Sequence, residues 1–309
     1  MTTLDLAHTS RETIQKGSSS FAAAAALFDA ETRADAEMLY AWCRHCDDVI
    51  DGQDLGHGMA APGPDAGRAR LEALYAKTHA AIAGEATDDP NFAAFQRVAL
   101  RRHIPEAYAT QLIDGFAMDV AGRRYETLED TLDYCWHVAG VVGVMMALVM
   151  GVAPGDLPTL RRAQDLGLAF QLTNISRDVV EDAANGRIYL PAAWLAEAGV
   201  PEAEIAAPEH RAALFAVTAR LLDAAEPYYA SARAGLPALP FRSALAIAAA
   251  RGVYRQIGVI VRQRGPAAWD SRASTSSAMK AWLALQALGT AVATRGGHAP
   301  ERPALWSKI

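Results

Sequence analysis

Aromatic residues are scarce in this chain of 309 residues: they make up 7% of it, against a hydrophobic share of 51%. That shortage, beside abundant Ala, favours helices packed closely through small side chains over a β-rich fold. Cysteine is rarer still. Cys43, Cys46 and Cys135 are too few for a disulfide framework and fit a reduced compartment. Cys43-x-x-Cys46 lacks the second Cys/His pair that would complete four zinc ligands, so neither a zinc knuckle nor a redox pair is expected there. Positive charge is short as well. A net charge of −6, with no run of interleaved basic and aromatic residues, speaks against nucleic acid as a partner. It also disfavours direct capture of an anionic substrate unless metal ions invert the local field. MTTLDLAHTSRETIQ at the start has early charges and no apolar core, unlike a signal peptide. The uncharged run Val138–Val152 is short for a bilayer span. Together these absences predict a cytoplasmic protein.

What is present is organised around QLTNISRDVVEDAANGRIYLP, Gln171–Pro191. On an α-helix four residues turn the chain by about 400° and lift it by about 6 Å, so Asn174, Asp178 and Asp182 form one oxygen-bearing stripe. Leu172, Ile175 and Val179 follow the opposite face. YAWCRHCDDVID, Tyr40–Asp51, repeats the spacing with Asp47 and Asp51, and each motif carries an arginine close to its first aspartate, Arg44 and Arg177. One acidic stripe is ordinarily a solvated helix face. Two facing each other would repel without cations between them, and Mg²⁺ prefers few carboxylates, several waters and substrate phosphates. The pair therefore points to a diphosphate held through metal.

Helical patterns run over Thr32–Ile50, Leu71–Gly84, Asn91–His103, Pro105–Val120, Thr127–Val152, Thr159–Asp182, Trp194–Ala198, His210–Ala234, Arg242–Arg264 and Ser276–Thr294. Gln53–Arg68, rich in Gly and Pro, reads as a surface loop. Serines open an Ala-rich helix at Ser18–Phe21, where they cap it or, with its free N–H groups, bind phosphate. No persuasive strand or internal repeat beyond the acidic motifs appears. The expectation is one all-α domain over 1–309 with its site in a central cavity, 1–16 and 295–309 being tails.

In their order along the chain, the two Asp-x-x-x-Asp motifs, YCWHVAGVVG at Tyr134–Gly143 and QLTNISRDVVED running into GRIYLP resemble the squalene and phytoene synthase family, over about Ser18–Lys280. ARGVYRQIG at Ala250–Gly258 and AWDSRASTS at Ala268–Ser276 are more similar to the bacterial phytoene synthases than to the squalene synthases. The resemblance implies an isoprenoid-synthase-like helical bundle. It implies diphosphate binding by Ser18, Ser20, Tyr40, Arg44, Arg177, Tyr254 and Arg272, although Ser19 stands where Lys is frequent in the family. It implies Mg²⁺ or Mn²⁺ on Asp47, Asp51, Asn174, Asp178 and Asp182, a catalytic Tyr134, and no NADPH. Asp119 and Gln171 would orient Tyr134 or the metal shell.

A carbocation needs an apolar pocket, for which the helix carrying Val138, Ala139, Gly143 and Ala147 is the candidate wall, its small residues leaving a groove. Phe21, Leu168, Gln171 and Leu172 are its expected neighbours. The implied reaction is the head-to-head condensation of two geranylgeranyl diphosphates through a cyclopropylcarbinyl diphosphate to phytoene, with a C15 squalene or dehydrosqualene synthase as the alternative. A terpene cyclase would need the longer Asn, Ser/Thr, Glu metal spacing instead of a second Asp-x-x-x-Asp, and a non-catalytic helical module would need no acidic pair. So apolar a product implies peripheral membrane contact and hand-off to a phytoene desaturase.

Overall fold

The computed structural model describes residues 3–17, 19–52, 64–295 and 299–309. Among them every regular element is a helix. The chain runs through α1 (Thr3–Gly17), α2 (Ser19–Ala25), α3 (Ala30–Asp51), α4 (Pro64–Ile82), α5 (Pro90–Arg102) and α6 (Glu106–Val120). It continues through α7 (Leu128–Cys135), a π-helical turn at Trp136–Gly140, α8 (Val141–Val149) and α9 (Leu157–Ala184). The rest is α10 (Ala192–Glu197), α11 (Arg211–Gly235), α12 (Phe241–Arg264) and α13 (Ser277–Ala293).

The two motif helices have well-marked ends. Asp29 caps α3 by accepting from the Thr32 amide at 2.9 Å, and Gly52, at φ 63°, closes it in the left-handed conformation. Asp156 caps α9 through the Thr159 amide at 3.2 Å, and Gly186, at φ 77°, turns the chain out after its last residue. At 28 residues α9 is about 42 Å long. It packs against α8, α11 and α12 and forms the spine of the bundle.

The α7, π-turn and α8 segment lies against α9 at unusually short range. A Cβ on Gly167 would fall 2.2 Å from the Ala139 carbonyl oxygen, and one on Gly143 would fall 2.4 Å from that of Ala163. Real side chains do not fit there, so the small residues of this helix let two backbones touch as well as sparing space. Leu128–Val149 is apolar and long enough to cross a membrane by composition alone, but 72% of its most apolar window is buried inside the bundle.

Three boundaries differ from the sequence reading. The N-terminal stretch taken as a tail is α1, which buries Leu6, Ser10 and Ile14 at helical spacing; a stripe that sparse is hard to see in a polar sequence. The C-terminal stretch taken as a tail packs back, because Arg302 grips the fully buried Asp165 at 2.7 and 2.9 Å and Lys308 reaches Asp133 at 2.7 Å. Of the expected loop, residues 53–63 lie outside the described residues, and Pro64 already opens α4, where a proline in the first turn suits a helix start.

Candidate active site

Helical phase aims four elements at one cavity of about 380 Å³. Along α3, Tyr40, Cys43, Arg44 and Asp47 face it; along α9, Ala163, Gly167, Gln171 and Asn174 do. Val138, Ala139, Gly143 and Ala147 form the wall that adjoins α9, and Tyr254 with Ala250 lines the cavity from α12. Aromatic pairs hold its flanks: Phe21 stacks on Tyr40 with centroids 5.2 Å apart, and Phe170 on Tyr254 at 4.1 Å.

The cavity is apolar along most of its length and charged at one end. Arg44 donates to Asp47 Oδ2 at 2.6 Å, and its Nε is buried with no partner. Arg187 reaches across from the segment after α9 and takes Asp51 with both nitrogens, one contact at 3.0 Å. Arg177 pairs with Asp178 at 2.8 Å, and Arg272 donates to Asp178 at 3.1 Å and to Glu181 at 2.8 Å. Asn174 donates to Gln171 Oε1 at 3.3 Å and leaves its own Oδ1 buried and unpartnered.

Asp119, on α6, accepts from the hydroxyls of Tyr134 at 3.1 Å and Tyr189 at 3.0 Å, and those two rings stack at 4.5 Å. Burial raises Asp119 to about 6 in spite of Arg187 and both phenols, which favour its charge. Burial, then the nearby Asp119, pushes the Tyr134 phenol far above its ordinary value. Asp47 also rises to about 6 through burial, against the pull of Arg44. Asp182 goes furthest, to about 8, because burial is joined by the charges of Asp178 and Glu181. Among the described residues no three His, Cys, Asp or Glu side chains converge as a metal cage.

Of the residues singled out in the sequence, Phe21, Tyr40, Arg44, Asp47, Tyr134, Gln171, Asn174 and Tyr254 line the cavity with the four wall residues named above. Asp51, Arg177, Asp178, Asp182 and Arg272 stand behind the lining, joined to one another and to Arg187 by ion pairs or through-space fields. Leu168 and Leu172 are not tunnel residues. Both are fully buried on the core side of α9, rotated about 60° and 100° round the helix from Gln171. Ser18, and the side chain of Ser20, lie outside the described residues. Arg187 and Tyr189 belong to GRIYLP but carry no role in the reading of the sequence above. The signal available was an arginine and a tyrosine directly after an acidic stripe.

A family model described as Squalene/phytoene synthase matches residues 14–279. The 15-cis-phytoene synthase of Pantoea ananas is 55% identical over 298 residues, 96% of each chain, and that of Paracoccus sp. is 52% identical over 305 residues, 98% of each. Among solved structures, a dehydrosqualene synthase in complex with ligand superposes with a TM-score of 0.83 at 27% identity, covering 94% of this chain and 98% of that one. A squalene synthase from Alicyclobacillus acidocaldarius gives 0.73 at 26%, covering 84% and 94%. The all-α, isoprenoid-synthase-like bundle expected from the sequence is the fold these structures share.

Proposed function

Because the chain belongs to the squalene/phytoene synthase family, we propose that its cavity joins two molecules of geranylgeranyl diphosphate head to head and delivers phytoene. The observation that carries this reading is an apolar tunnel of about 380 Å³ ending between two Asp-x-x-x-Asp motifs that share Arg187. The chain is thus a prenyltransferase. The high identity to proteins named phytoene synthase favours a C20 substrate over a C15 one.

Mg²⁺ or Mn²⁺ fits the charged end. Asp47 and Asp182 are carboxylates that burial pushes up, Asp182 further because Asp178 and Glu181 lie beside it, and the Asn174 Oδ1 is buried without a donor. These three, with Asp51 and Asp178, are the residues that would hold the metal, and few protein ligands suit an ion that keeps waters and phosphate oxygens. Bound there, it would neutralise the charge that develops on the departing diphosphate. Arg44, Arg177 and Arg272 hold the diphosphate oxygens with fork-shaped donors. The apolar walls keep water from the allylic cation while the 2,3-double bond of the second molecule attacks its C1. Asp119, raised to about 6 and so mostly carboxylate near neutral pH, is tied to the Tyr134 hydroxyl and receives the proton whose loss closes the cyclopropane ring. A second ionisation and rearrangement joins the two C1 atoms, and a second proton loss leaves the conjugated triene without a hydride donor.

The protein works in the cytoplasm as a peripheral membrane protein and passes phytoene to a desaturase. An exposed apolar stripe on α13, Trp282, Leu285, Leu288 and Val292, supports membrane contact; residues 271–300 carry basic residues and no acidic one, in a chain of net charge −6. Product analysis by chromatography and mass spectrometry, with Mg²⁺ and C15 or C20 diphosphate, with and without NADPH, tests the activity. A C40 triene from C20 substrate without NADPH is expected. A C30 product would move the substrate to C15, and no condensation product from either would end the reading.

A further inference from the structure

Arg162 sits on α9 sixteen residues before Asp178, which on an α-helix is about 24 Å from the charged end. It lines the far end of the apolar cavity beside Thr159, Leu236 and Leu239. A second cavity of about 530 Å³ lies beyond it, walled by Pro158, Arg161, Ala238 and the returning segment with Pro300, Arg302 and Ser307. Thr159, Arg162 and Gly235 line both spaces. The partition between them is one layer of side chains.

The stem of Arg162 fills that layer. It lies so close to Gly235 that a Cβ there would come 3.0 Å from Arg162 Cβ and 3.1 Å from its Cδ. The guanidinium points to the far side, donating to the main-chain oxygens of Ser231, at 3.0 Å, and Pro300. Arg162 is only 7% exposed, and the neighbouring carboxylate, Asp165, is already taken by Arg302 and the Ser231 hydroxyl. A buried cation whose direct hydrogen-bond partners are carbonyls, with Asp165 acting only through space, is a costly way to fill space, since an apolar side chain would need no such desolvation. What arginine adds is a straight stem pinned at its head, a wall that cannot swing aside. We propose that Arg162 is the floor of the prenyl tunnel and sets the longest chain the enzyme accepts. The proposal rests on the activity given under Proposed function.

The test compares kcat/KM and product length for C20 and C25 prenyl diphosphates, with thermal melts of each variant. Wild type is expected to favour C20. Arg162→Ala merges the two cavities and raises the C25-to-C20 ratio by about tenfold or more, the scale on which pocket size discriminates apolar chains. Arg162→Met keeps the stem but loses the pinned head, and shifts the ratio by less than Arg162→Ala. Thr159→Ala, which touches neither anchor of Arg162, shifts the ratio in the same direction by less, and carries the test if Arg162→Ala does not fold. An unchanged ratio in a folded Arg162→Ala or in Thr159→Ala, or an Arg162→Met shift as large as that of Arg162→Ala, overturns the floor while leaving the activity standing. A wild type inactive with every prenyl diphosphate removes both.

Discussion

On α3 it is the second aspartate of the motif, Asp51, that a remote arginine grips, whereas on α9 it is the first, Asp178, that Arg177 and Arg272 take. The partner aspartates fare differently. Asp47 keeps Arg44, and among the described residues Asp182 has no cation within bridging distance. Both titrate high, Asp182 more so. Two motifs identical in spacing are therefore unequal in charge. On α3 each carboxylate has an arginine, whereas on α9 Asp178 is neutralised and Asp182 is left short of positive charge, the charge that the proposed metal would supply. The lesson is that Asp-x-x-x-Asp fixes a stripe and nothing about its balance, which is set by arginines elsewhere in the chain.

The largest expected effect separates the two classes of aspartate. Asp182→Asn should lower phytoene formation by about 10²–10³-fold, the usual consequence of losing one charge-stabilising group, with the melting temperature kept or raised. Asp47→Asn, Asp51→Asn and Asp178→Asn should lose as much activity and also melt lower, because each leaves an arginine without its carboxylate. Four variants with the same melting temperature would break the distinction.

Next in size is the arginine contrast. Arg187→Gln strands the nearly buried Asp51 and should cost about 3 kcal/mol in urea unfolding. Arg272, whose side chain is 56% exposed, should cost less than about 1 kcal/mol on the same substitution, because solvent screens its pairs. Equal losses would mean that Arg187 is one surface pair among many.

Much of this was legible in the sequence because helical periodicity is local. The bounds of α3, α9, α12 and α13 fall within a few residues of those read from pattern, and the small residues Ala139, Gly143 and Ala147 do face the cavity. What escaped depends on pairs distant in the chain. Arg187 meets Asp51 across 136 positions, and Arg302 meets Asp165 across 137. Leu168 and Leu172 were misplaced because a helix buried on several sides has apolar residues all round, so hydrophobicity does not say which side is tunnel and which is core. Gly143 and Gly167 carried a double meaning, cavity wall and backbone contact, that only the fold separates.

The smallest effect is also the sharpest check on the asymmetry. Asp182 has a folded pKa of about 8, above an unfolded value of about 3.9. Between those values the folded state holds more protons than the unfolded one, so stability falls as pH rises from about 4 towards 8. Asp47 and Asp119 act with the same sign over the narrower window up to about 6. Asp182→Asn cannot acquire the charge. Its metal-free form should match wild type at about pH 3, where the carboxyl is largely protonated in both states, and exceed it by about 1 kcal/mol at pH 8 once solvent screening is allowed for. Thermal melts in chelator at both pH values read this directly, and Mg²⁺ at pH 8 should then raise wild type more than the variant. A variant less stable than wild type at pH 8 without metal would mean that Asp182 already has its counter-charge within the protein, and the two motifs would be balanced after all.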